Sequence, residues 1–281
     1  LSLHDALPIA LLQDAEALDR AAEHLVRVKA AENVAYLELR WGPHLHTAKG
    51  LTQSQVIAAV AAGARRAAAA TGIEVRLIIT ALRSHSLEEN RSLATAAVAA
   101  QDLGVVGFDL AGREAAFPDP LTFKESFDIA RSGGLAITLH AGEWGGAAQV
   151  RRALEVQPAR IAHGGVAVDD PSLCTELAAR NVSLDLCPTS NTQAAIVAGY
   201  GDFPIAELRR RGVPITLNTD DLVVSDVTLS EEYLHVHRRL GLPVADLIAL
   251  ARAGYDFAFV EQGTKVRLRN ALETWLSQRG M

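Results

Sequence analysis

The stretch AITLHAGE, residues 136–143, decides how this chain is predicted to fold. It begins as a short apolar, β-branched run and ends in a histidine and a glutamate. Because side chains alternate along a β-strand, Thr138 and His140 point to the same face. The turn that follows can bring Glu143 over the end of the strand. Reactive groups at a strand's carboxyl end are typical of the sites of parallel α/β folds.

Seven strand candidates of this kind alternate with long, alanine-rich helical segments. Repeated strand–helix–strand units predict a parallel sheet. Helical sequence begins at about Ala10, with no strand candidate before it, and further helical segments run from Leu51 to Thr71, Leu87 to Leu103 and Pro171 to Arg180. The strand candidates are residues 33–41, 73–81, 105–112, 136–143, 159–164, 182–190 and 214–221.

Polar, chemically capable residues stand at the end of nearly every strand candidate. In a barrel of parallel strands, the loops at these ends build the active site. A dinucleotide-binding sheet would instead carry G-x-G-x-x-G after its first strand, and that motif is absent there. The sequence therefore predicts an α/β fold, a (β/α)₈ TIM-type barrel whose first strand is missing. The strand-end residues are Glu38, Arg40, Asp109, Gly112, His140, Glu143, His163, Asp220 and Asp221.

Composition narrows the class of protein. The 281 residues are 49% hydrophobic and 21% charged, which is typical of a single globular domain. A formal net charge of −6 disfavours nucleic acid as a partner. No apolar run reaches the roughly 18 residues of a membrane span, so we expect no membrane partner. The only two cysteines, Cys174 and Cys187, form no disulfide framework, and we expect a cytoplasmic location.

Residues at the ends of three strand candidates are the best candidates for metal binding and proton transfer. A lone strand-end histidine is more often structural than a metal ligand, and adjacent aspartates are often a solvated turn. His140, His163 and the pair Asp220–Asp221 nevertheless follow three different strands of one predicted barrel. One imidazole and one carboxylate can bind zinc, while a second imidazole and the Glu143 carboxylate remain for proton transfer.

On these residues, the chain resembles the adenosine deaminases of the metal-dependent hydrolase superfamily. The resemblance covers the chain from about residue 20 onward, and HAGE together with NTDD is its specific part. The matching motifs follow one another in family order: YLELRWGPHL (36–45), VVGFDLAGREAAFP (105–118), HAGE (140–143), RIAHGG (160–165), CPTSN (187–191) and LNTDD (217–221).

The resemblance implies a role for six residues. His140 and Asp220 would be zinc ligands, Glu143 would donate a proton to purine N1, and His163 would orient and deprotonate the attacking water. Two further groups would hold the purine: the Gly112 N–H at N3 and Asp221 at N7. The stretch GFDLAG lacks the bridging lysine of binuclear relatives, which implies one Zn²⁺ per chain.

The implied activity is hydrolysis of adenosine or 2′-deoxyadenosine to inosine or 2′-deoxyinosine and ammonia, in purine salvage. The expected partner is a small-molecule purine nucleoside, and the oligomeric state stays open. Leu222 replaces the proline that often follows TDD in this family. Two alternatives remain: a deaminase of another 6-aminopurine, such as adenine, aminofutalosine or a methylated nucleotide, and a metal-poor barrel that acts as a binding protein.

The family's first strand ends in H-x-H, which supplies two more zinc ligands, and residues 1–9 carry no such pair. Their sequence, LSLHDALPI, matches a one-frame translation of a common sequencing-library adapter. We therefore hypothesise that residues 1–9 are a non-native segment in place of the lost strand, and that residues 10–281 form a single barrel domain.

Two other histidine pairs have the spacing of H-x-H. His44 and His46 follow the first strand candidate, where the family has no metal ligands. His235 and His237 lie in a helical stretch, where residues i and i+2 point in different directions and cannot bind one ion. We expect neither pair to bind metal.

Overall fold

The computed structural model describes residues 9–281. Within them the chain forms seven β-strands, which we number in chain order, and the seven predicted parallel strands are confirmed. The prediction that residues 1–9 supply no eighth strand falls almost wholly outside the described residues. The strands are β1 (Tyr36–Trp41), β2 (Glu74–Leu82), β3 (Val105–Ala111), β4 (Ala136–Ala141), β5 (Arg160–His163), β6 (Ser183–Leu186) and β7 (Ile215–Leu217).

Helices connect and follow these strands. Across residues 9–281, none of them is long and apolar enough to cross a membrane. The helices are α1 (Ala15–Ala31), α2 (Gln53–Thr71), α3 (Leu87–Ala99), α4 (Lys124–Ser132), α5 (Ala147–Ala153), α6 (Pro171–Ala179), α7 (Pro188–Gln193), α8 (Ile205–Arg210), α9 (Leu222–Ser225), α10 (Leu229–Leu240), α11 (Val244–Asp256) and α12 (Gln262–Ser277).

Several predicted boundaries are wrong by a few residues, for identifiable reasons. The helical sequence predicted from about Ala10 is confirmed at residues 9–11 but is interrupted before α1. Helix α1 begins after Asp14, whose side chain accepts a hydrogen bond from the Ala17 N–H and caps the helix. Helix α3 ends at Ala99 and is followed by a short 3₁₀ turn. The predicted strand 182–190 stops at Leu186, because Pro188 lacks an N–H for the ladder and instead begins helix α7.

The seven strands are parallel and pair strictly in chain order, from β1 to β7. Strands β1 and β7, the two ends of this order, are not paired with each other among the described residues. Within residues 9–281 the sheet therefore ends at β1 on one side and at β7 on the other. Every strand consequently delivers its carboxyl end to the same rim of the sheet, where the predicted site residues stand.

The apolar core lies between the sheet and the helices. Outward-facing strand residues such as Leu77, Phe108, Leu139 and Leu184 are almost completely buried. They belong to one continuous cluster with the inner faces of the surrounding helices. Burial of these side chains supplies most of the stabilising free energy, at about 25 cal/mol for each Å² of apolar surface.

The inward face of the sheet is charged instead. Arg160 on β5 forms an ion pair with Glu38 on β1 and a second one with Asp185 on β6 (3.2 Å). Arg40 on β1 lies 3.6 Å from Asp185 and 3.8 Å from Asp109 on β3. Since β1 is not a neighbour of β3, β5 or β6 in the sheet, the contacts of Glu38 and Arg40 cross the interior. The sheet is therefore curled into a barrel wall around a chain of alternating charges.

We expect Glu38→Gln to destabilise the fold by about 3–5 kcal/mol, because it leaves the buried Arg160 guanidinium without this partner. Burial alone raises the pKa of Glu38, but the charge and hydrogen bond of Arg160 lower it overall. The stabilising contribution of the Glu38 carboxylate is therefore complete above pH 4.5, which is the pKa of a glutamate in the unfolded chain. It is lost as the pH falls through the lower pKa that Glu38 has in the folded protein.

Urea unfolding of both proteins at about pH 7 and at acid pH measures this effect. The difference between the two proteins should shrink as the pH is lowered. The exposed Glu155→Gln is the matched control and should leave the unfolding free energy nearly unchanged. A constant difference at all pH values would contradict the assignment to the Glu38 charge.

Candidate active site

Four predicted site residues converge at the carboxyl-terminal rim of the barrel. The His163 Nε2 atom lies 3.4 Å from Glu143 Oε1 and 4.0 Å from Asp220 Oδ2. The centroid of the His140 ring lies 5.2 Å from that of His163. The structure thus brings an imidazole pair and two carboxylates from three separate strand ends into one cluster, which we call the rim cluster.

The tautomer of His140 is set by a buried carboxylate. Its Nδ1 lies 3.1 Å from Asp109 Oδ1, and Asp109 is fully buried and also accepts a hydrogen bond from Thr80 Oγ1. Burial lowers the pKa of His140, but the adjacent Asp109 charge raises it overall. With Nδ1 engaged, Nε2 is the ring nitrogen available to a metal ion, in the arrangement that carboxylates commonly impose on metal-binding histidines.

His163 is oriented in a similar way by an amide. Its Nδ1 lies 3.3 Å from Asn191 Oδ1, and only 3% of its side chain is exposed. A proton on Nδ1 leaves the lone pair of Nε2 directed at Glu143 and Asp220. The ring therefore faces the rim, not the helical shell, and is placed to accept a proton there.

Backbone conformation turns two of these side chains inward. His163 and Asp220 have φ angles of 63° and 62°, in the left-handed region that residues other than glycine and asparagine rarely adopt. This conformation costs roughly 1–2 kcal/mol for each L-residue. Such outliers persist where the surrounding structure enforces them, and they concentrate at functional sites.

Asp220 is held by the CPTSN segment. Ser190 Oγ donates a hydrogen bond of 2.7 Å to Asp220 Oδ2, and 31% of the Asp220 side chain is exposed at the rim. Burial raises the pKa of Asp220, but the nearby His163 and the Ser190 hydroxyl lower it overall. The carboxylate is therefore kept ionised, which is the form that binds a metal ion.

The donor atoms of the rim cluster fit zinc. Ligand atoms of His163, Cys187 and Asp220 lie within 4.8 Å of one another. The ring centroid of His140 lies 5.2 Å from that of His163. Imidazole nitrogen, carboxylate oxygen and sulfur are the donors that zinc prefers. Burial, with the Asp220 and Asp185 carboxylates nearby, raises the pKa of the Cys187 thiol. Cys187 therefore remains a neutral thiol here, and nitrogen and oxygen are the stronger donors.

The other two predicted residues have different surroundings. Gly112 has a φ angle of 111°, which an L side chain rarely adopts, so a glycine is required where β3 ends. Asp221 caps helix α9: its Oδ1 accepts hydrogen bonds from the N–H groups of Val223 and Val224. Its Oδ2 takes no part in this cap.

The other two histidine pairs, His44–His46 and His235–His237, contact groups outside the rim cluster. His44 stacks on His85, with ring centroids 4.5 Å apart, while His46 Nδ1 lies 2.7 Å from the Leu12 carbonyl oxygen. His235 packs edge-on against Tyr200, and His237 Nδ1 lies 2.7 Å from the Leu242 carbonyl oxygen. The two members of each pair thus have separate partners.

Three supporting residues were not assigned a role from the sequence: Asp109, Ser190 and Asn191. Asp109 stands on an inward-facing position of β3, so strand alternation could have placed it beside His140. Ser190 and Asn191 lie in CPTSN, a motif with little specificity of its own. Their partners follow other strands, and no local pattern in the sequence indicates those contacts.

Comparison with known proteins decides the family. The family model for adenosine deaminase matches residues 1–275. The chain belongs to the adenosine deaminase family. An adenosine deaminase from Clostridium perfringens is 35% identical over 266 residues, a match that covers 94% of this chain and 80% of the relative. The resemblance that the rim motifs carry is therefore confirmed over most of the chain.

Other members differ in what their names say they act on. An adenine deaminase from Sinorhizobium fredii is 36% identical over 252 residues, covering 89% of this chain and 78% of that protein. An amidohydrolase from Burkholderia ambifaria, whose crystal structure has bound zinc, superposes with a TM-score of 0.90 at 28% identity. That match covers 97% of this chain and 76% of the other. Proteins named adenosine deaminase and adenine deaminase are thus both similar to this chain in sequence.

Proposed function

We propose that this chain catalyses the zinc-dependent hydrolytic deamination of adenosine and 2′-deoxyadenosine, with release of ammonia. One observation carries the proposal: His163 faces Glu143 at 3.4 Å and Asp220 at 4.0 Å, at the rim of a barrel of this family. The cluster combines a proton acceptor, a proton donor and a metal-binding carboxylate within the reach of one small substrate.

We assign one Zn²⁺ to His140 and Asp220. The His140–Asp109 contact supports the first ligand, because it leaves Nε2 free, and the Ser190 hydrogen bond supports the second, because it favours the ionised carboxylate. When bound, zinc supplies Lewis acidity that lowers the pKa of water to about 7. Further ligands beyond these two are not assigned within residues 9–281.

The chain's own side chains move the protons. His163 accepts a proton from the water that attacks C6 of the purine, and Glu143 donates a proton to ring nitrogen N1, which neutralises the charge that develops on the ring. The bond between C6 and the amino nitrogen then breaks as His163 gives its proton to the leaving amino group. The C6 hydroxyl becomes a carbonyl and returns its proton to Glu143. Adenosine and water are thereby converted into inosine and ammonia.

The remaining contacts orient the ring. The Gly112 N–H donates to N3, and Asp221 bonds N7 through Oδ2, the oxygen that does not cap helix α9. Exposed apolar side chains follow three of the strand ends, at Phe117, Trp144 and Val223, and such surfaces are suited to the faces of a planar purine.

The test is turnover with a panel of 6-aminopurines in the presence of added zinc. We expect adenosine and 2′-deoxyadenosine to be converted at the highest kcat/KM, followed as the fall in ultraviolet absorbance and as ammonia released. Adenine is the second candidate, since an adenine deaminase is among the relatives. Binding of adenosine without turnover, in protein that has bound zinc, would instead support a binding protein and overturn the proposal.

A further inference from the structure

Two buried charged residues outside the rim cluster hold the turn that carries Glu143. Glu114 follows β3 and is fully buried, and Arg83 follows β2 with 1% of its surface exposed. Neither residue has a role in the proton transfers or in the proposed zinc site. Ionised side chains are rarely buried so completely without a specific partner, so each contact they make is informative.

Glu114 accepts two backbone hydrogen bonds, one on either side of Glu143. Its Oε1 accepts from the Gly142 N–H at 2.8 Å, and its Oε2 accepts from the Trp144 N–H at 3.0 Å. Each carboxylate oxygen thus has its own donor. The peptide units on both sides of the proposed proton donor are fixed by one side chain from a neighbouring strand's loop.

Arg83 completes the arrangement from the other side. Its Nη2 donates to the His140 carbonyl oxygen at 3.1 Å, and its Nη1 donates to the Phe117 carbonyl oxygen at 2.9 Å. Phe117 lies in the same loop as Glu114. The guanidinium therefore joins the loop after β3 to the end of β4. Glu114 links the same loop to the turn that follows β4.

Steric contacts leave this turn little freedom. Gly142 has a φ angle of 82°, and an added Cβ atom there would lie 2.7 Å from Val150 Cγ2 and 2.8 Å from Val166 Cγ2. The turn needs its unusual backbone conformation in order to aim Glu143 at the rim. Hydrogen bonds to charged groups are stronger than those between neutral groups, so the Glu114 carboxylate is well suited to hold such a turn.

We propose that Arg83 and Glu114 form a buried clamp that positions Glu143 for proton transfer to the substrate. They act on the backbone at His140, Gly142 and Trp144 and do not touch the substrate, so they are positioning residues. This inference rests on the proposed function, because Glu143 is the proton donor in that reaction.

Glu114→Gln tests the clamp with minimal change in shape. The amide offers one oxygen and one NH₂ group, so one of the two backbone N–H groups would face a donor. We expect kcat for adenosine to fall roughly 10- to 100-fold, the scale of a misplaced catalytic group. In a Glu143→Gln background the same substitution should change kcat by no more than about twofold, because the side chain at position 143 then has no acidic proton whose position matters.

Glu232→Gln is the matched control, because Glu232 is also fully buried and also accepts a backbone hydrogen bond, from the Thr189 N–H at 2.7 Å. It lies outside the turn of Glu143, so its effect should be the same in both backgrounds. Equal effects of Glu114→Gln in the two backgrounds would overturn the clamp, because a merely structural residue lowers both activities alike.

Hydrogen exchange of the peptide covering residues 140–146 tests the clamp independently of activity. We expect its amides to be protected in the parent protein and to exchange faster in Glu114→Gln, while the peptide around Thr189 is unchanged. Arg83→Lys should have the same effect on a smaller scale, since an ammonium group does not reproduce the two-pronged guanidinium geometry. It also carries the test if Glu114→Gln does not fold.

The two proposals fail in different ways. A parent protein that has bound zinc but turns over no 6-aminopurine contradicts the proposed function. In that case, hydrogen exchange at residues 140–146 still shows whether Arg83 and Glu114 hold the turn of Glu143. Unchanged exchange in both Glu114→Gln and Arg83→Lys overturns the clamp, even if the parent is an active deaminase.

Discussion

Glu143→Gln is expected to keep zinc and to lose roughly 10²- to 10⁴-fold in kcat for adenosine, the usual contribution of a general acid. The amide has nearly the same size as the carboxyl group, so the turn held by Glu114 should be retained. It has no acidic proton to donate to N1, however, and the charge on the ring is no longer neutralised. KM should change much less than kcat, since the lost interaction develops in the transition state.

Steady-state kinetics and zinc content per chain measure this prediction together. Glu155→Gln, an exposed glutamate outside the rim cluster, is the control and should retain full activity. A variant that loses zinc along with activity would reassign Glu143 to the metal site. A variant with undiminished kcat would exclude it as the proton donor.

Asp220→Ala is expected to lose zinc and activity together. The substitution removes a carboxylate that Ser190 and the neighbouring His163 keep ionised, and with it one of the two assigned ligands. A single remaining imidazole binds zinc only weakly, so we expect the zinc content to fall to background after dialysis. The residual kcat should be lower than that of Glu143→Gln, because the metal supplies the activated water.

The adjacent Asp221→Ala is the matched control for metal binding. It removes the cap of helix α9, at a cost of about 1 kcal/mol in the free energy of unfolding. It should nevertheless keep its zinc, while KM for adenosine rises through the lost contact to N7. Equal zinc loss in both variants would show that general damage to this loop, and not the ligand role of Asp220, causes the loss.

The fold could be read from the sequence because one pattern repeats. Each strand shows a short β-branched run, each helix is long and alanine-rich, and reactive residues mark the strand ends. The same pattern gave the rim positions of His140, His163 and Asp220. Strand ends were less predictable, since they depend on local events such as the helix that Pro188 begins.

The supporting residues could not be read in this way. Glu114 stands in the stretch REAAF, where a glutamate ordinarily indicates a solvated loop, yet it is fully buried. Its partners are backbone N–H groups, which every residue but proline carries, so no residue type marks them. The left-handed backbone conformation of His163 and Asp220 could not be predicted from the sequence either, because nothing in these two side chains requires it.

The charged interior of the barrel limits how its units can be exchanged. Glu38, Arg40, Asp109, Arg160 and Asp185 come from four different strands, and each is paired with at least one of the others. Replacing one βα unit by that of another barrel would leave an opposite charge buried without its partner. Chimeras of this protein should therefore fold only when β1, β3, β5 and β6 are inherited as a matched set.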